Sequence, residues 1–164
     1  MNTLSDRYLL TAEIEHLYAH YCETLDDGRI DLWPEFFVED CLYRLTTRDN
    51  EERGMPLSLV LCKGQAMIRD RALALQKTVM FRSRRQRRML SGIRLLEGVD
   101  ADGEGVKTRA SFVLYESVGD EPTRALASGC SHDVVVRRDG ALKFKQRLLV
   151  VDASVMTDSL VFPV

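Results

Sequence analysis

The chain has 164 residues with a formal net charge of −2, and 45% of the residues are hydrophobic. This composition excludes an intrinsically disordered chain and argues against a nucleic-acid binder that acts through its overall field, so we expect one domain spanning residues 1–164. Because no apolar run approaches the roughly 20 residues of a membrane helix, and the first ten residues lack a signal-peptide pattern, we expect a cytoplasmic protein.

A first helix is predicted from an N-cap at Ser5 to a left-handed cap at Gly28. Its apolar residues recur at helical spacing and form one stripe, consisting of Leu10, Ile14, Leu17, Tyr18, Tyr21 and Leu25. A stripe of this kind faces a hydrophobic core. A short second helix is predicted next, with Asp31 as its cap and Pro34 in its first turn. A third helix is predicted over residues 65–79.

The large side chains Trp33, Phe36 and Phe37 follow the first helix closely and are predicted to lie in the core. Strands are predicted at residues 41–47 and in the apolar run 56–62, with a polar loop at 48–54 between them. Four longer strands follow at residues 88–99, 106–117, 124–138 and 142–150, and turns separate them.

The last two strands are joined by Asp139-Gly140, a strong hairpin signal. A β-bulge is predicted at Gly129 in the first of them. In the second, Leu142, Phe144, Gln146, Leu148 and Val150 alternate with Lys143, Lys145 and Arg147, which predicts two opposite faces. Helices first and antiparallel strands afterwards indicate an α+β fold, with helices on one face of a curved, mainly antiparallel sheet.

Several segments occur in an order that is typical of one family. They are 32–37 (LWPEFF), 40–45 (DCLYRL), 48–51 (RDNE), 54–57 (GMPL), 67–71 (MIRDR) and 152–163. In this order the chain resembles the small (beta) subunits of Rieske non-haem iron aromatic-ring-hydroxylating dioxygenases. It is most like those of salicylate 5-hydroxylase and terephthalate dioxygenase. One departure is Arg87-Arg88, where the family commonly has Arg-His.

The resemblance implies the cone-like α+β fold of nuclear transport factor 2 and ketosteroid isomerase. It implies a hexamer of three large and three small subunits, with the small subunits self-associating as a trimer. The Rieske 2Fe-2S cluster and the mononuclear iron would lie on the large subunit, which receives electrons from NAD(P)H through a separate reductase. The small subunit would be structural and would carry no catalytic, cofactor-binding or metal-binding residues.

The residues themselves agree with a role without a metal. Cys22, Cys41, Cys62 and Cys130 are widely spaced, so they indicate reduced and mostly buried thiols rather than a zinc site. Glu13, His16 and His20 share the outer face of the first helix. We interpret them as a solvated face or a subunit contact rather than as an iron triad, because active iron sites are buried and supported by further hydrogen bonds.

The strongest charge signal is an arginine run made of Arg82, Arg84, Arg85, Arg87 and Arg88. Nucleic-acid binding is one interpretation, but the negative net charge and the lack of interleaved aromatic residues argue against it. We predict instead that part of the run contacts a neighbouring subunit, because guanidinium groups bind carboxylates bidentately.

An alternative hypothesis is a stand-alone, metal-free isomerase or dehydratase of the same cone fold. Asp40, Tyr43 and Asp152 are the candidates to line its pocket, where a carboxylate and a tyrosine would perform acid–base chemistry. This hypothesis predicts a roomy apolar pocket that holds a carboxylate with a perturbed pKa. The pair His132-Asp133 lies in the middle of a predicted strand, and no serine or cysteine nucleophile is identified beside it.

Overall fold

The computed structural model describes residues 4–78, 84–99, 105–154 and 162–164. The helices are α1 (Leu4–Asp26), a 3-10 helix (Ile30–Phe36), α2 (Arg48–Glu52) and α3 (Gln65–Thr78). The strands are β1 (Phe37–Thr47), β2 (Val60–Lys63), β3 (Arg84–Val99), β4 (Val106–Val118), β5 (Arg124–Arg138) and β6 (Ala141–Val151). None of the helices in these ranges is long and apolar enough to span a membrane.

The strands form one sheet in the order β2-β1-β6-β5-β4-β3. Strands β1 and β6 are parallel, and each other neighbouring pair is antiparallel. Helix α1 packs across the inner face of the sheet, and α3 packs beside it against β1 and the 3-10 helix. The predicted α+β fold with a mainly antiparallel sheet is therefore confirmed.

The apolar stripe of α1 supplies much of the core, as predicted. Ile14, Tyr18 and Tyr21 are completely buried, and Trp33 and Phe37 pack edge to face against each other beside them. Gly28 ends the helical segment with a φ of +76°, a backbone conformation that favours glycine. The start was predicted wrongly, because Ser5 lies inside the helix and does not cap it.

Three predictions for the first half of the chain need correction. The short second helix is a 3-10 helix, and Asp31 lies within it rather than capping it. The predicted polar loop contains α2, which Thr47 caps by accepting a hydrogen bond from the backbone N–H of Asn50. The apolar run 56–62 forms a strand only at its end, at Val60–Lys63.

The hairpin at Asp139-Gly140 is confirmed, and both residues have positive φ angles, of 52° and 81°. The predicted bulge at Gly129 is wrong, because the register around that residue is continuous with β4 and β6. Glycine is required there for a different reason. A Cβ atom at position 129 would lie 2.0 Å from the carbonyl oxygen of Val150, so the two backbones approach too closely for any side chain.

The irregularity of this strand pair lies between Val134 and Val135 of β5, which pair with Gln146 and Phe144 of β6 and leave Lys145 without a partner in the ladder. It changes which residues of β6 face the core. Phe144, Arg147 and Leu149 are buried, whereas the sequence pattern placed Arg147 opposite Phe144. A charged side chain is thereby brought into the interior of the cone.

Gly129→Ala is expected to lower the free energy of unfolding by at least about 2 kcal/mol, because the added methyl group must displace the backbone of β6. Urea unfolding followed by circular dichroism measures the loss. Ser111→Ala, a change at an exposed strand position, is the control and should stay within about 0.5 kcal/mol of the unaltered chain. A Gly129→Ala variant as stable as this control would contradict the close approach.

Candidate functional site

The centre of the cone holds a buried ion pair. Nη1 of Arg147 lies 2.9 Å from Oδ2 of Asp133, and the two side chains are 1% and 0% exposed. The hydroxyl of Tyr18, on α1, donates a hydrogen bond to the same carboxylate oxygen. It also lies 2.8 Å from Oγ1 of Thr108 on β4. One cluster thus connects α1 to β4, β5 and β6.

Aromatic rings surround the guanidinium group of Arg147. Its central carbon lies 4.4 Å from the ring centroid of Tyr21, 4.8 Å from that of Phe144 and 5.3 Å from that of Tyr18. A cation over the face of a ring is attracted by the ring's quadrupole, and the attraction is strongest where water is excluded. The space that a ligand would need at the centre of the cone is occupied by this side chain and its rings.

The electrostatics of the cluster keep its protons in place. Burial raises the pKa of the Asp133 carboxyl, while the guanidinium of Arg147 and the hydroxyl of Tyr18 oppose that rise. Burial lowers the pKa of Arg147, but the adjacent carboxylate outweighs this effect and raises it. Burial and the charge of Asp133 raise the pKa of Tyr18, so its phenol stays neutral. The guanidinium and the carboxylate therefore each stabilise the charged form of the other.

Residues 163 and 164 fill a second part of the interior. The Tyr21 hydroxyl donates to the carbonyl oxygen of Val164 over 2.9 Å, and the backbone N–H of Val164 donates to the Tyr43 hydroxyl over 3.1 Å. Arg88 donates to the carbonyl oxygen of Pro163 through Nε and Nη2. Buried side chains of α1, β1 and β3 therefore bind the chain's own backbone in this part of the interior.

The three pocket candidates have separate surroundings. Tyr43 is completely buried and contacts Val164. Asp40 is exposed on β1. Asp152 follows β6, pairs with Arg48 and accepts a hydrogen bond from Ser128 over 3.0 Å. The structure brings together Tyr18, Asp133 and Arg147 instead, a set that the sequence interpretation did not identify.

The face of α1 that carries Glu13, His16 and His20 borders a surface cavity of about 480 Å³, beside the β5–β6 hairpin. Glu13 is 2.5 Å from Nη2 of Arg137, and the imidazole of His20 packs against Phe36. Within the described ranges, no group of three or more His, Cys, Asp or Glu side chains could hold a metal ion.

The arginine run divides into groups with different roles, and Arg82 lies outside the described residues. Arg88 is buried and its Nη1 lies 2.6 Å from Oδ1 of Asp26, so its guanidinium is used within the chain. Arg84 pairs with the buried carboxylate of Glu116 at 3.2 Å. Arg85 and Arg87 are exposed on β3. The predicted subunit contact therefore depends on these last two residues and the exposed part of Arg84.

His132 has a neighbour that the sequence interpretation missed. Nε2 of His132 lies 3.5 Å from Sγ of Cys130, and both side chains are half-buried on the outer face of the sheet. Residues i and i+2 of a strand share a face, so the spacing alone could have identified this pair. Ser131 points to the opposite face, as expected, and is buried.

With this geometry, comparisons with known proteins define the class. Residues 6–148 match the SnoaL-like domain family, so the chain is a SnoaL-like α+β protein of the nuclear transport factor 2 type. The anthranilate 1,2-dioxygenase small subunit of Burkholderia cepacia is 29% identical over the full length of both chains. The beta 1 subunit of the terminal oxygenase component of Comamonas terephthalate 1,2-dioxygenase is 32% identical over 90% of this chain and 94% of its own.

A solved structure of the same kind of subunit has a similar fold. The beta subunit assigned to an aromatic-ring-hydroxylating dioxygenase of Novosphingobium aromaticivorans superposes with a TM-score of 0.85 at 28% identity, over 96% of this chain and 99% of that one. The chain belongs to the family of small (beta) subunits of aromatic-ring-hydroxylating dioxygenases. The resemblance stated from the sequence is confirmed.

Arg147→Met is expected to lower the free energy of unfolding by about 3–5 kcal/mol, because it leaves the buried Asp133 carboxylate without its partner. Asp133→Asn tests the other half of the pair. The double variant should lose clearly less than the sum of the two single losses, as measured by urea unfolding. Additive losses would show that the two side chains do not interact across β5 and β6.

Cys130 is expected to react with Ellman's reagent within minutes at pH 8, and Cys22, Cys41 and Cys62 only after unfolding. The three slow thiols are buried, and burial raises the pKa of Cys41 to about 11. The ordinary pKa of a cysteine thiol is 9.0, so the neutral Cys41 thiol stabilises the folded chain below pH 9. This contribution to stability is lost as the pH rises through about 11. Cys130→Ser should abolish the fast phase. A fast phase that persists would contradict the assignment.

Proposed function

We propose that this chain is the non-catalytic, structural subunit of its oxygenase and that it holds three large catalytic subunits in register in a hexamer. The observation that carries the proposal is the filled interior. In a fold whose concave side can receive a ligand, Arg147, its aromatic neighbours and residues 163–164 occupy the space. Such an interior leaves no room for a substrate at these positions.

The chemistry of the proposed complex belongs to the large subunit. There, a Rieske 2Fe-2S cluster and a mononuclear iron would activate O2, with electrons from cytoplasmic NAD(P)H arriving through a separate reductase. The relatives named above act on anthranilate and terephthalate, so a carboxylated aromatic ring is the proposed class of substrate. The small subunit would contribute surfaces for assembly rather than reacting groups, and three copies of it would contact one another.

The stand-alone isomerase or dehydratase needs an accessible carboxylate within a cavity. Among the described residues, the carboxyl whose pKa is raised is that of Asp133, but its side chain is completely buried and paired with Arg147. Asp40 and Asp152 lie on the surface. A ligand could reach Asp133 only if it displaced the core of the protein, so this alternative is the less favoured one.

The test is co-expression of the chain with a large oxygenase subunit encoded in the same genome. Light scattering, iron content and aromatic-dependent O2 uptake of the pair are compared with those of the chain alone. We expect a hexamer that contains iron and is active, and a lone chain that is free of iron and inert. A lone chain that turns over a substrate without metal, or a pair that does not associate, would overturn the proposal.

A further inference from the structure

A groove lies between α1 and the β5–β6 hairpin, outside the filled interior of the cone. Two adjoining cavities of about 480 Å³ and about 330 Å³ form it, and both are lined by Leu17, His20, Ala141 and Leu142. The smaller cavity extends to the 3-10 helix. Since small-molecule sites in proteins have volumes of roughly 300–1,000 Å³, the groove is large enough for a ligand of one or two rings.

One wall of the groove consists of three rings in a row. The imidazoles of His16 and His20 are stacked, with centroids 6.4 Å apart and planes that differ by 29°. The imidazole of His20 also meets the ring of Phe36 edge to face, at 5.1 Å. Because aromatic rings pack against one another in offset and edge-to-face arrangements, this wall favours a planar aromatic ligand over an aliphatic one.

Unused polar groups lie at the end of the groove beside the 3-10 helix. Lys143 lines this end from β6, and Glu35 lines it from the 3-10 helix. Within the described ranges neither of them forms an ion pair. Thr24, which also lines it, is completely buried, and its Oγ1 has no hydrogen-bond partner there. A buried polar group without a partner costs about 1–3 kcal/mol, so a polar ligand atom beside Thr24 would recover part of that cost.

The cation at the other end of the groove is already bound within the chain. Nη2 of Arg137 lies 2.5 Å from Oε2 of Glu13, and its Nη1 donates a hydrogen bond to the carbonyl oxygen of Gly140 over 3.1 Å. Lys143 therefore supplies the positive charge that a ligand can use. An ammonium group binds a carboxylate through charge-assisted hydrogen bonds, and an imidazole N–H beside it can donate one more.

We propose that this groove binds a small planar aromatic carboxylate. The ring of the ligand lies between the wall of His20 and Phe36 and the side chain of Leu142, and its carboxylate accepts hydrogen bonds from Lys143 and His20. Glu35, on the other side, accepts a hydrogen bond from an amino or hydroxyl substituent of the ring. The ligand class matches the substrates proposed above, but the residues that define the site all belong to this chain, so binding does not require the large subunit.

Isothermal titration calorimetry of the full chain with 2-naphthoate tests the site. Two further probes separate the contributions of the ring and the charge, because 2-naphthalenemethanol has the ring without the charge and decahydro-2-naphthoate has the charge without the aromatic ring. We expect 2-naphthoate to bind about tenfold more tightly than either of them, which corresponds to one charge-assisted hydrogen bond or one aromatic contact.

Two pairs of variants locate the binding. Ala141→Trp fills the middle of the groove from an exposed position, and Ala125→Trp, at an exposed position of β5 that does not line the groove, is its control. Lys143→Gln removes the ammonium group, and Lys107→Gln, at an exposed position of β4, is the matched change of charge. We expect Ala141→Trp to abolish binding. Lys143→Gln should weaken the binding of 2-naphthoate about tenfold and leave that of 2-naphthalenemethanol unchanged. Both controls should bind as the unaltered chain does, and circular dichroism confirms that each variant is folded.

Three results would overturn the proposal: a chain that 2-naphthoate does not saturate, three probes of equal affinity, or binding that persists in Ala141→Trp. Binding that Ala141→Trp abolishes but that Lys143→Gln leaves unchanged would also overturn it, because the groove would then be apolar without recognising the carboxylate. Failure of the large subunit to associate with the chain is a separate result. It would contradict the proposed function and would not affect the binding of 2-naphthoate to the chain alone.

Discussion

The buried pair of Arg147 and Asp133 is the interaction on which the rest of the structure depends. It joins β5 to β6 at the centre of the sheet, and Tyr18 extends it to α1. Two charges that are removed from water lose several kcal/mol of hydration each, and their mutual attraction repays this only with good geometry and further hydrogen bonds. The aromatic rings around Arg147 contribute part of that compensation.

Oδ1 of Asp133 and Nε of Arg147 have no hydrogen-bond partner among the described residues, so the compensation is incomplete. A core of this kind specifies one arrangement of helix and sheet at some expense in stability.

This centre also limits what the chain can do by itself. A cone-shaped fold performs acid–base chemistry when a carboxylate faces a cavity that a substrate can enter. Here the buried carboxylate faces a guanidinium, and the hydroxyls of Tyr21 and Tyr43 contact the backbone of Val164. The hydroxyls of Tyr18, Tyr21 and Tyr43, which could otherwise orient a ligand here, are each hydrogen-bonded within the chain. These groups therefore stabilise the interior of the fold, which agrees with the structural role proposed for this subunit.

The fold was largely predictable from the sequence, but this centre was not. Helical spacing identified the buried face of α1, and Asp139-Gly140 identified the β5–β6 hairpin. A regular ladder from that turn pairs Arg147 with His132. The irregularity beside Val134 shifts the register by one residue and pairs Arg147 with Asp133 instead. A one-residue shift also moves side chains to the other face of a sheet, so the alternating pattern placed Arg147 on the face opposite Phe144. No local pattern of residues signalled the irregularity, because its benefit is the ion pair that it permits.

The buried and the exposed arginines of this protein differ in whether a carboxylate lies beside them. Arg88 and Arg147 are buried, and each has a carboxylate partner within 3 Å. Arg94 and Arg109 are exposed, stand opposite each other, and are joined to no carboxylate in the described part of the chain. Water screens the second pair, so folding tolerates it, yet folding gains nothing from it. Five of the ten carboxylates in residues 4–40 lie on α1, and one of these, Asp26, is the partner of the buried Arg88. Folding thus depends on the buried arginines and their carboxylates, whereas the exposed pair contributes nothing to it.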